Sequence, residues 1–278
     1  MYNILDISKD EEDAIRNCHE SLVSSRILHE SSSSDGLVNL IKREIRQSSI
    51  YTSFSDEETR NTIFILMLQK VWFKSLRISL LQEKYSNVPS GSFSAVMVKL
   101  IRCIDNLIDS IVFAKENSMS IVSGILARNI LEVSWLASIF AYNPEKSLLF
   151  TDTTIDEYTR WKMNFSPSLL KKSINDISTA ILNEIPDYIE YLKKFNLDKY
   201  KEYSTYAHLS WESLLDETKE PSRDVCISLW YAILIIEFTM VRKHNMKVDI
   251  SPESIASIVS YKVIMSVIPG YLEEYKWN

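Results

Sequence analysis

Apolar positions recur every three or four residues along almost the whole chain, the spacing that gathers them on one face of a helix. Residues 9–30 carry acid in the first turn and apolar side chains at Ile15, Leu22, Val23, Ile27 and Leu28, which predicts an exposed amphipathic helix. The serine run Ser31 to Ser34 ends it, and a short helix is expected over 37–46, with Leu37, Leu40, Ile41 and Ile45 on one face. Residues 1–50 thus read as an N-terminal arm or hairpin, with 51–278 as the bundle core. Ser55 and Glu58 have the spacing of a capping box ahead of a long, broadly apolar helix over 56–84. Past the break at NVPSGS, further helices are predicted over 92–117 and from Ser120 to the stop at Asn143-Pro144.

Punctuation is denser from 144 to 222. Thr154 with Glu157 reads as a capping box, Ser166-Pro167 as a cap with a first-turn proline, and Pro186 as the start of PDYIEYLKKF. Several short helices are expected there, the last over 198–210. Pro221 then opens a strongly apolar helix over 222–243, and Ser251-Pro252 caps a final one that Pro269-Gly270 kinks or ends. The fold class is therefore all-α, a multi-helix bundle of roughly nine or ten helices.

Composition strengthens this reading. Four glycines and seven prolines in 278 residues are far fewer than the ~12% these two usually supply, and the glycines stand far apart. That excludes P-loop and Rossmann chemistry, which need clustered glycines around a phosphate. A net charge of -6 has the wrong sign for holding a nucleic-acid backbone by bulk electrostatics, so any RNA contact must be local. Cys18, Cys103 and Cys226 are odd in number and sit in amphipathic or apolar runs, so buried thiols in a reducing compartment are expected. The opening MYNILDISKDEED lacks the basic and apolar regions of a secretory signal, which makes a cytoplasmic location the expectation. Glu237 interrupts the apolar stretch from Cys226 to Val241, so that stretch reads as a central buried helix and no membrane partner is expected.

Candidate chemistry rests on two polar pairs. Arg128 with Glu132, and Ser204 with His208, are each four apart and so share a helical face, with Tyr200 one turn before Ser204. If they converge inside the bundle, His208 is placed for acid/base work, Arg128 for stabilising phosphate charge, and Glu132 and Ser204 for orienting them. The competing reading is an intrahelical ion pair beside a satisfied core network. Lys193, Lys194, Lys199, Tyr200 and Tyr203 form a basic, aromatic run that could bind unpaired RNA by stacking, although solvated helix faces explain the same pattern. His19 and His29 are too far apart for a helical metal site and read as solvated surface. Asp105, Asp109, Glu132 and His208 lack an E-x-x-H motif, so no metal and no cofactor are expected.

The segments ARNILE, EYTRW and EYSTYAHLS, within residues 95–245, resemble an uncharacterised family of bacterial all-helical proteins, some found near phage-defence genes. They are distantly similar to HEPN-type helical bundles. The resemblance implies Arg128, Glu132, Ser204 and His208 as the matching positions, and an RNA-directed nuclease as one activity. The chain departs from the HEPN pattern because no arginine precedes His208 by five to seven residues. The leading expectation is an intracellular accessory or effector protein acting through a protein partner or a second copy, with the HEPN-like nuclease as the alternative.

Overall fold

Ser8 and Glu11 start the first helix by bonding each other's backbone: the Ser8 N–H donates to Glu11 Oε2 at 2.7 Å and the Glu11 N–H to Ser8 Oγ at 3.3 Å. The computed structural model describes residues 3–4, 8–24, 33–47, 51–52, 57–82, 92–181, 189–207 and 221–246. These hold ten α-helices: α1 Lys9–Ser24, α2 Ser34–Gln47, α3 Glu57–Leu81, α4 Ser92–Glu116, α5 Ser120–Tyr142, α6 Lys146–Thr151, α7 Glu157–Asn164, α8 Pro167–Ile181, α9 Ile189–Ala207 and α10 Pro221–Phe238. A two-residue antiparallel ladder, Asn3–Ile4 with Tyr51–Thr52, is the one strand pairing among the described residues. The fold is an all-α bundle.

α5 is the axis of the bundle, packed against α4, α8, α9 and α10. Its run from Ser134 to Ala141 is wholly buried, as is α10 from Val225 to Ile236, so both helices are apolar around most of their circumference. These two are also long and apolar enough to cross a membrane by length and composition, but most of each apolar window is covered by the bundle itself. α1 and α2 form a hairpin whose Ile15, Leu37, Val38, Leu40 and Ile41 join the same buried cluster as the remaining helices. Arg60 on α3 grips Glu11 with both terminal nitrogens, at 2.8 and 2.6 Å, a fork geometry suited to a carboxylate.

The boundaries follow local chemistry. α4 ends in a left-handed turn at Ser118 (φ 54°), with the Met119 N–H on the Ala114 carbonyl at 2.8 Å and the Ser118 N–H on Lys115 at 3.0 Å. α5 stops ahead of Pro144 and α8 starts at Pro167, as the prolines predict. The cap of α7 differs from expectation. Asp156 accepts the Thr159 N–H at 2.9 Å, while the Thr154 hydroxyl turns back onto Asp152 at 2.6 Å, so an Asp cap replaces the Thr154/Glu157 box.

The expected break before residue 198 is also absent. α9 runs unbroken through it, because Leu192, Phe195, Asn196, Tyr200 and Tyr203 continue one buried face across the predicted boundary. Buried Asn196 satisfies its amide N–H on the Leu192 carbonyl of its own helix at 2.8 Å. The helix expected over 222–243 is present with its last turn, Thr239–Lys243, widened to π geometry, and the His244 N–H reaches back to the Thr239 carbonyl at 3.1 Å. Ser55 of the expected Ser55/Glu58 box, Pro186 and the helix expected after Ser251 lie outside the described residues.

Candidate functional site

α5 and α9 run antiparallel in contact, since Tyr200 meets Glu132 while Tyr206 meets Gly124 further back along α5. The four-residue spacing of Arg128 and Glu132 puts both on the face of α5 that looks at α9. Glu132 Oε1 accepts from Arg128 Nε at 3.2 Å and from the Tyr200 hydroxyl at 2.6 Å. The Tyr200 ring stacks on Trp135 with centroids 4.9 Å apart, and two cations lie over it: the Arg128 guanidinium at 5.6 Å and Lys171 Nζ, from α8, at 4.6 Å. Side chains from two helices, α5 and α8, therefore close around one aromatic ring of a third, α9.

Burial and charge set the protonation of this group. Burial pushes the Tyr200 phenol up to about 12, and its bond to the Glu132 carboxylate adds to the rise. Burial opposes the charge on Arg128, but the neighbouring Glu132 carboxylate and the bonds with Tyr200 and Glu132 outweigh it, leaving the guanidinium above its ordinary value. At neutral pH the arrangement is thus a charged guanidinium and a protonated phenol bonded to a carboxylate.

Of the four residues expected to converge, Arg128 and Glu132 meet α9 through Tyr200. Ser204 lies one turn further on, and its hydroxyl donates to the Tyr200 carbonyl of its own helix at 2.7 Å. His208 lies outside the described residues. Trp135 and Lys171 were missed as members of this group. Trp135 carries a usable signal, standing one turn beyond Glu132 on the same face, whereas Lys171 arrives from another helix.

The expected RNA-stacking run does not form a surface platform. Tyr200 and Tyr203 are 2% and 0% exposed, because the buried face of α9 passes through both. Lys199 bridges Asp224 at 2.9 Å and Glu202 at 3.1 Å, and Tyr203 donates to the same Asp224 oxygen. Burial pushes Asp224 up despite Lys199, and it holds the Tyr203 phenol well above its ordinary range, with Asp224 adding to the rise. This second group ties α9 to the first turn of α10. Lys193 pairs with Glu190 at 2.7 Å, and Lys194 is exposed.

Other expectations are revised as well. Asp105 and Asp109 share Lys70, at 3.4 and 2.6 Å, so they are part of an ion pair between α3 and α4. Among the described residues no cluster of His, Cys, Asp and Glu has the grouping of a metal site. His19, read as solvated, is buried on the inner face of α1, while His29 lies outside the described residues. Cys226 is buried, with its Sγ on the Thr62 carbonyl and its thiol pushed up by burial, but Cys18 is half-buried and Cys103 exposed. No protein-family model, curated protein or solved structure matches the chain.

Proposed function

We propose that the protein is an intracellular accessory or effector of a bacterial or phage-defence system that acts mainly through protein contacts. The defence setting rests on the resemblance of ARNILE, EYTRW and EYSTYAHLS. The mode of action rests on the surface of α6 and α7, where Leu148, Leu149, Ile155, Tyr158 and Met163 expose large apolar side chains within one short stretch of chain. Tyr158 and Met163 are 73% and 63% exposed. Exposed apolar side chains gathered in one region are what a contact surface requires, whereas scattered single ones are ordinary.

This surface stands on a firm base. Phe140, Phe150 and Phe165 form three mutual edge-on contacts with centroids 5.4 to 5.6 Å apart, and Trp161 lies 6.0 Å from Phe165. A partner would meet a preformed face, so little ordering entropy is lost on docking. The Arg128, Glu132 and Tyr200 group favours the same reading over catalysis, because its carboxylate is bonded to both neighbours and its phenol holds its proton.

The test compares the wild-type chain with a Leu149→Glu, Tyr158→Glu double variant by light scattering and by cross-linking in the native cell. A self-associated or partner-bound wild type and an unassociated, folded variant are expected. A wild type that stays monomeric and cross-links to nothing, or a variant that keeps the same partner, overturns the reading.

A further inference from the structure

We propose that the exposed face of α7 docks against the same face of a second copy of this chain, the two helices running antiparallel across a two-fold axis. The proposal rests on the α6 and α7 contact surface described above and names its partner. α7 has one side held and one side open. Trp161 packs on Phe165 at 6.0 Å, and Phe165 is buried against Phe140 and Phe150, whereas no residue of α7 itself is buried. Tyr158, Lys162 and Met163 are exposed, with Lys162 Nζ 6.0 Å from the centroid of the Tyr158 ring, and α6 packs beside them with Leu148 and Leu149 exposed. A helix of 8 residues draws little stability from its own hydrogen bonds, so a second packed face supplies burial that the single chain leaves out.

Charge selects a copy over an unlike partner. α7 carries an acid at its first residue, Glu157, and a base in its last turn, Lys162; both are exposed, and among the described residues neither has an ion-pair partner. Antiparallel pairing of this helix with itself sets Glu157 of each chain beside Lys162 of the other, so the two-fold axis makes both ion pairs at once. It also brings Tyr158 of each chain near Met163 of the other. The two charges cancel within the strip, which leaves no excess for a strongly charged partner to neutralise. The antiparallel arrangement sets the two helix dipoles head to tail as well. The net charge of -6 on each chain opposes association at long range, but salt screens it over about 10 Å, whereas the ion pairs act at contact.

The experiment measures association of the purified full chain by sedimentation equilibrium, for wild type, Glu157→Lys, Lys162→Glu, an equimolar mixture of those two, and the chain carrying both substitutions. Each single substitution turns two symmetry-related attractions into repulsions, so a reversible wild-type dimer is expected to weaken about tenfold in Kd. The mixture and the doubly substituted chain should both recover the wild-type Kd, because each restores the opposite charges, and a chain that had failed to fold could not do so. A wild type that stays monomeric across the accessible concentrations overturns the proposal, as do single variants that dimerise like wild type or a mixture that recovers nothing. A monomeric wild type whose cross-linked partner is lost in the Leu149→Glu, Tyr158→Glu variant overturns the second copy and leaves the contact surface standing. A dimer untouched by that double substitution overturns both.

Discussion

Gly124 on α5 lies so close to the Tyr206 ring on α9 that a Cβ at position 124 would stand 2.6 Å from both Cγ and Cδ1 of that ring. Gly124 is helical and makes no turn, so its role is to admit the neighbouring helix. This contact and the Glu132 to Tyr200 bond together fix the register of α5 against α9, and so place Tyr200 beside Arg128.

Gly124→Ala therefore sets two effects against each other. Alanine gains about 1 kcal/mol of helix propensity over glycine, and forcing a methyl into a filled interface costs about 1–3 kcal/mol. A net loss of about 1 kcal/mol is expected in urea unfolding, because the methyl would meet the body of a buried ring that cannot swing aside. Combining it with Tyr206→Ala should give a double-mutant cycle with favourable coupling, since the smaller partner makes room for the methyl.

Tyr200→Phe keeps the stacked ring but removes the hydroxyl that Glu132 accepts at 2.6 Å. A loss of about 1.5 kcal/mol is expected in urea unfolding, the low end for a bond to a charged group because Glu132 remains partly reachable by water.

The two candidate caps of α7 are separated by their alanine variants. Asp156→Ala should cost about 1 kcal/mol, the usual value of an N-cap side chain, whereas Thr154→Ala removes only a surface turn bond and should stay within about 0.5 kcal/mol of wild type. Equal losses would restore Thr154 to a capping role.

His244 gives the stability of the fold a pH dependence. Its Nε2 lies 2.7 Å from the Ala141 carbonyl, a separation that calls for an Nε2–H donor. Burial pushes the imidazole below its ordinary 6.5, with Lys243 acting in the same direction and the Ala141 bond opposing both. A depressed folded pKa means that the unfolded chain takes the proton first, so the contribution of His244 is present above 6.5 and is lost as pH falls through the folded value. Urea midpoints measured from pH 7.5 downward should fall more steeply for wild type than for His244→Gln.

Helix positions were readable before any coordinates because each depends on neighbours within one or two turns. The stop ahead of Pro144 and the start at Pro167 follow from a ring that removes an N–H, fixes its own backbone angle and restricts the preceding residue. The errors arose where a local signal met a stronger one from packing. A break near residue 198 suited the sequence spacing, but burial of Leu192, Phe195, Tyr200 and Tyr203 on a single face holds α9 together. The same burial removed Tyr200 and Tyr203 from the surface where base stacking had been expected. At α7, Thr154 and Asp156 are both competent caps, and which one is used depended on the Asp152 side chain holding Thr154.

Within the site, the Arg128 and Glu132 pair was legible because a four-residue spacing is a property of one helix. That Tyr200 would close over it, with Lys171 arriving from α8, was not legible. Those meetings depend on how α5, α8 and α9 lie against one another, and that arrangement follows from the shapes of packed faces, such as the missing side chain at Gly124, which periodicity does not encode. The all-helical character was written along the chain in its apolar spacing and its shortage of glycine; the partners of its buried charges were settled by packing between helices distant in sequence.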